Sequence, residues 1–127
     1  MRVFWANNEK TILIREFSKQ WTWPEYQLSL VKMRQMLQRV EHGVSIIIDT
    51  CQVETIPREA LPHLQAGNRN LPSHVQKQFL VSNNRLVYKL YQMLREISPS
   101  DFNEFYFVSG IEEAFQKIAD AQKQETF

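Results

Sequence analysis

Cysteine occurs once in these 127 residues, at Cys51, and glycine three times, at Gly43, Gly67 and Gly110. A single thiol excludes an internal disulfide and any zinc cage built from cysteines. A reducing, cytoplasmic compartment is the natural expectation. Three scattered glycines provide no Gly-rich loop for a phosphate. An excess of one charge is lacking too: fifteen basic residues stand against fourteen acidic ones, a formal net charge of +1. No basic face of the kind that binds nucleic acid is therefore expected. His42, His63 and His74 show none of the spacings that place two imidazoles on one helix face, so no metal is expected. No other cofactor motif is present. No window approaches the roughly 20 apolar residues of a membrane span. The start, Met1-Arg2-Val3-Phe4-Trp5, lacks the apolar stretch and cleavage site of a secretory signal.

The composition that remains, 43% hydrophobic and 23% charged, is that of an ordinary soluble domain, read as one unit over 1–127. Its most informative stretch is Val44-Ser45-Ile46-Ile47-Ile48-Asp49. This nearly continuous, β-branched apolar run reads as a strand buried on both faces. Gly43 before it reads as the left-handed cap of a helix. The residues after Asp49 form a loop, and in open α/β sheets ligands gather beyond the carboxyl ends of strands.

The rest of the chain alternates around that strand. Val3 to Trp5 and Thr11 to Phe17 flank the turn sequence Asn7-Asn8-Glu9-Lys10 and read as an antiparallel hairpin at the sheet edge, partly solvated. Thr22 and Glu25 form a capping box, Pro24 fits a first helical turn, and Trp21 with Tyr26 fits a hydrophobic staple. These signals predict a helix to about His42, with Leu30, Met33, Leu37 and Val40 inward. Pro57 opens a weaker helix that Pro62 shortens. Val75 to Ser82 reads as a strand with Val75, Lys77, Phe79 and Val81 on one face. Asn83 or Asn84 then caps a helix whose stripe is Leu86, Leu90, Met93, Leu94 and Ile97. Phe105 to Val108 is the last strand, and Ser109 with Glu112 caps a last helix burying Ala114, Phe115, Ile118 and Ala119. Fraying is expected from Gln122 onward. The fold class is α/β: a mixed sheet with an N-terminal antiparallel hairpin, then parallel βαβαβα with right-handed crossovers.

That order, with Ile46-Ile47-Ile48-Asp49 running into a short loop and a helix, resembles the STAS domain of anti-sigma-factor antagonists and sulfate transporters. Ser109-Gly110-Ile111-Glu112-Glu113-Ala114 resembles the start of that family's last helix. The resemblance implies a sequentially wound sheet, helices mainly on one face, and binding to a protein partner or a second copy instead of catalysis. Antagonists of the family carry a phosphorylatable Ser, closely followed by Gly, at the start of the helix after the central strand. Here that place reads Ile56-Pro57-Arg58-Glu59. Thr50 and Thr55 are the nearby hydroxyls, and the loop is not expected to act as a phosphorylation switch.

The loop supplies the candidate partner-binding residues Asp49, Thr50, Cys51, Thr55, Pro57 and Arg58. A homodimeric interaction module is the leading reading. A second is a carrier for a small apolar ligand or lipid, as in the similarly folded CRAL-TRIO domains, with a pocket of several hundred cubic ångströms lined by Met33, Met36, Leu64 and Phe79. A third is a thiol enzyme using Asp49, Cys51 and His63, which needs a depressed thiol pKa. Against it, Asp49 reads as accepting loop amides and Cys51 as a small buried filler. Trp5, Trp21 and Trp23, with Phe17 and Tyr26, read as a cover for the open end of the core, or as an interface anchor where exposed.

Overall fold

The β-type and helical runs fold in the order that their patterns predict. A computed structural model describes residues 1–125. Strands β1 (Arg2–Trp5), β2 (Ile12–Glu16), β3 (Val44–Asp49), β4 (Val75–Val81) and β5 (Phe105–Val108) alternate after the hairpin with helices α1 (Trp23–Gln38), α2 (Ala60–Gly67), α3 (Arg85–Ile97) and α4 (Ile111–Glu125). The strands lie in sequence order in one sheet. β1 pairs antiparallel with β2, and β2 through β5 are parallel. The parallel part therefore has four strands, because β2 belongs to the hairpin and to the parallel ladder at once.

β3 is central, and its alternate side chains serve two cores. Ile46 and Ile48 join residues of α1 and α3 on one face, with Leu61 and Leu64 of α2 packed alongside. Ile47 joins Phe79, Val81, Val108, Ala114 and Ile118 under α4 on the other face. Each fully buried Ile contributes roughly 1.5–3 kcal/mol of transfer free energy, which makes this strand the most costly to disturb.

α1 starts as its sequence signals require. The Thr22 hydroxyl accepts from the Glu25 amide at 3.3 Å and donates to the Glu25 carboxylate at 3.1 Å. Trp21 packs on Tyr26 with ring centroids 6.0 Å apart, completing the staple.

Other expectations need correction. α1 stops at Gln38, short of His42, and no glycine has positive φ, so Gly43 is not a left-handed cap. The carbonyl of Leu37 is met instead by the His74 ring at 2.9 Å, while His42 bonds the Lys10 carbonyl. Val75 leaves the face shared by Phe79 and Val81, because three residues of β3, Val44 to Ile46, oppose four of β4, Val75 to Gln78. That extra residue reverses the alternation, and Val75 packs with the three-helix core. α2 begins at Ala60, so Pro57 lies outside it. Ser109 is bonded by Glu113 and not by Glu112. Phe115 is exposed. α4 continues through Gln122 to Glu125, where fraying was expected, and Thr126 and Phe127 lie outside the described residues.

α3 departs furthest from its pattern. Its buried residues are Val87, Tyr91 and Leu94. Leu86, Met93 and Ile97 of the anticipated stripe face outward. Among the described residues, no helix is long and apolar enough to cross a membrane.

Candidate functional site

Backbone pairing fixes the carboxyl end of the sheet. Phe17 donates to the Asp49 carbonyl at 2.9 Å, Thr50 to that of Val81 at 3.0 Å, and Ser82 to that of Val108 at 3.1 Å. Beyond this end, Asp49 accepts the Cys51 amide on its carboxylate at 3.0 Å, as expected of a carboxylate ordering a loop. Thr50 is buried, and its hydroxyl donates to the Val81 carbonyl at 2.7 Å. Thr55 is exposed, Pro57 is half-buried, and exposed Arg58 offers its carbonyl to the Trp23 indole N–H at 2.7 Å.

Cys51 is exposed and not the buried filler anticipated. Partial desolvation, a hydrogen bond to Asp49 and the negative charge of Asp49 push its thiol up to about 11. A nucleophilic thiol needs the opposite displacement. His63 lies flat on Trp23, ring centroids 4.2 Å apart and planes within 11° of parallel. The three residues of the thiol-enzyme reading thus carry no activated nucleophile. No group of three His, Cys, Asp or Glu side chains converges as a metal site among the described residues.

The unpartnered polar atoms lie deeper, between the sheet and the three-helix layer. A cavity of about 80 Å³ sits under the Thr50–Glu59 loop, α2 and α3. It is smaller than a lipid carrier would need, though ample for several waters or a small organic molecule. Of the four lining residues anticipated, only Leu64 contributes. Met33 is packed inside the core, Met36 lies against it, and Phe79 faces α4.

Arg15 forms part of the wall. It sits on β2 beside Val3 of β1 and Ile48 of β3, and is only 5% exposed. Its Nη2 donates to Ser29 Oγ at 3.2 Å, and Ser29 in turn donates to the Tyr26 carbonyl at 2.7 Å. The guanidinium carbon lies 5.5 Å from the Phe17 ring centre and 5.3 Å from that of Tyr26. Its Nε–H has no acceptor. Burial lowers the Arg15 pKa; the Tyr26 side chain favours the charged form and Arg34 opposes it. The ion pairs among the described residues, Arg2–Glu16, Lys19–Glu54 and Arg69–Asp101, leave Arg15 without a carboxylate. Trp21 lines the same cavity, and its buried indole N–H also lacks an acceptor.

Neither residue stood out as a site in the sequence. Trp21 read as a staple, which it is, and Arg15 as part of a solvated strand face. The available signal was the series Leu13, Arg15 and Phe17, which share one side of a strand. Once β1 and the helix layer cover that side, the middle member becomes a buried cation. No family model, curated protein or solved structure matches this chain.

Proposed function

We propose that this chain is a non-enzymatic interaction module that pairs with a second copy of itself through α3. The supporting observation is an apolar stripe on α3, three of whose four members face away from its own sheet. Leu86, Met93 and Ile97 are 53%, 44% and 51% exposed, and half-buried Leu90 completes a 4-3-4 spacing along one side of the helix. The stripe is self-complementary. In an antiparallel pairing of two α3 helices, Leu86 meets Ile97 and Leu90 meets Met93 of the second copy. Glu96 then falls between Arg85 and Lys89 of the second copy, so that opposite charges meet along one flank. Pairing of this kind is constitutive. The Thr50 hydroxyl is engaged by the Val81 carbonyl, and Pro57-Arg58-Glu59 offers no phosphate acceptor.

Sedimentation velocity across a concentration series tests this. Wild-type protein is expected to sediment as a dimer, and Leu86→Glu/Ile97→Glu as a monomer with an unchanged far-UV spectrum. A wild type that stays monomeric at millimolar concentration overturns the reading. A second reading, a binder of a small ligand, is supported by the cavity at the carboxyl end of the sheet. At about 80 Å³ it favours a small molecule over a lipid.

A further inference from the structure

Two residues that line the cavity beneath α2, Arg15 and Trp21, each carry a buried N–H donor without a hydrogen-bond partner. A guanidinium buried among apolar groups is strongly unfavourable unless an anion meets it. Here the chain supplies the hydroxyls of Ser29 and Tyr26 and two ring faces, and no carboxylate. Trp21 shows the same deficit beside an indole that is satisfied, since Trp23 donates to the Arg58 carbonyl. Among the described residues, Arg15 Nε and Trp21 Nε1 are the only buried side-chain nitrogens or oxygens without a partner, and they belong to two residues that line one cavity. Two of the three hydroxyls on the wall already spend their protons on the fold: Thr50 donates to the Val81 carbonyl and Tyr91 to the Phe105 carbonyl.

We propose that this cavity binds a small monocarboxylate, whose oxygens accept from Arg15 and Trp21 and whose apolar body lies against Leu80 and Leu94. This rests on the small-ligand reading above and names its chemical class. A neutral apolar molecule would leave both donors orphaned. A phosphate dianion would bury an uncompensated negative charge against apolar walls. A monocarboxylate matches one guanidinium in charge and two donors in acceptor oxygens.

Access is through the cover. α2 buries only Gly67, has no side-chain N-cap, and follows Glu59 at φ 63°. It belongs to the weakly held part of the fold, where opening is easiest.

The test titrates the whole protein with acetate, butyrate and benzoate, each beside its neutral amide, and with inorganic phosphate. Binding is read by calorimetry and by Trp fluorescence. At least one acid is expected to bind saturably and at least tenfold more tightly than its amide, with phosphate showing no binding. Arg15→Met, which removes the buried charge, is expected to keep the fold and lose at least tenfold in affinity for that acid. Trp21→Phe is expected to lose severalfold. If an amide binds as tightly as its acid, if phosphate binds more tightly, or if Arg15→Met binds the acid like wild type, the carboxylate assignment is overturned while the small-ligand reading stands. If no acid or amide binds, both fail together. The acid–amide comparison needs only wild-type protein, so it decides the matter even if Arg15→Met does not fold.

Discussion

At the scale of single residues, the two faces of β3 separate cost from tolerance. Ile47 is fully buried under α4, with Phe79 across the β3–β4 ladder and Ile14 across the β2–β3 ladder. Ile47→Asp places a carboxylate there without a partner, and the cost of several kcal/mol rivals the ~5–15 kcal/mol stability of a whole small domain. The variant is expected to lose its cooperative thermal transition by circular dichroism. Cys51 is the opposite case, since it is exposed and its thiol is held up at about 11 against an ordinary 9.0. The folded state therefore binds the thiol proton more tightly than the unfolded chain does. This contribution to stability is complete below pH 9 and is lost as pH rises toward 11. Iodoacetamide alkylation of the native protein is expected to keep rising about tenfold per pH unit through pH 10, where the denatured chain levels off near 9, following the thiolate fraction. A native rate that levels off below pH 9 would show that Asp49 and burial do not hold the proton.

At the scale of elements, α2 is the weakest part of the fold. Glu59 flanks its start in a left-handed conformation that costs a non-glycine residue roughly 1–2 kcal/mol. It also makes no side-chain cap bond. Asn tolerates that conformation and is a preferred N-cap, so Glu59→Asn is expected to stabilise the protein by about 0.5–1 kcal/mol, measured as a raised urea midpoint. At its other end α2 depends on Gly67. A Cβ there would lie 2.3 Å from the Tyr26 hydroxyl and 3.0 Å from Leu30, so α2 approaches α1 only because that atom is absent. Pro62 lies within the first turn of the shortened helix, where its missing N–H costs little.

At the scale of the molecule, each strand after β1 pairs with its sequence neighbour in parallel, and three helices lie on one face. α4 covers the other face alone. Contact is densest around β3, and thin around the Thr50–Glu59 loop and α2. Native-state hydrogen exchange is expected to follow that gradient. Amides of 46–48 should exchange only through global unfolding, and those of 60–67 orders of magnitude faster. Equal protection of the two segments would mean that α2 is no movable cover, and the cavity would then need another route of access.

The order of elements was legible because each depends on neighbours along the chain. The run at 44–49 has too few polar groups to face water, and Trp21-Thr22-Trp23-Pro24-Glu25-Tyr26 carries cap, proline and staple within six residues. The α3 stripe was misread because periodicity reveals an apolar side without saying what covers it. Val87, Tyr91 and Leu94 face the sheet, and Leu86, Met93 and Ile97 are left outside. The bulge in β4 was hidden for a related reason, since one extra residue in a ladder is a relation between two strands. The candidate site was the least legible. Arg15 becomes a buried, unpaired cation only when β1, β3 and α1 close around it. The Trp21 indole N–H is left without a partner only once the layers close around it. Local sequence thus determined which segments are strands and helices. Tertiary packing alone decided which charges and apolar faces were left without partners, because burial belongs to the assembled layers and not to any one segment.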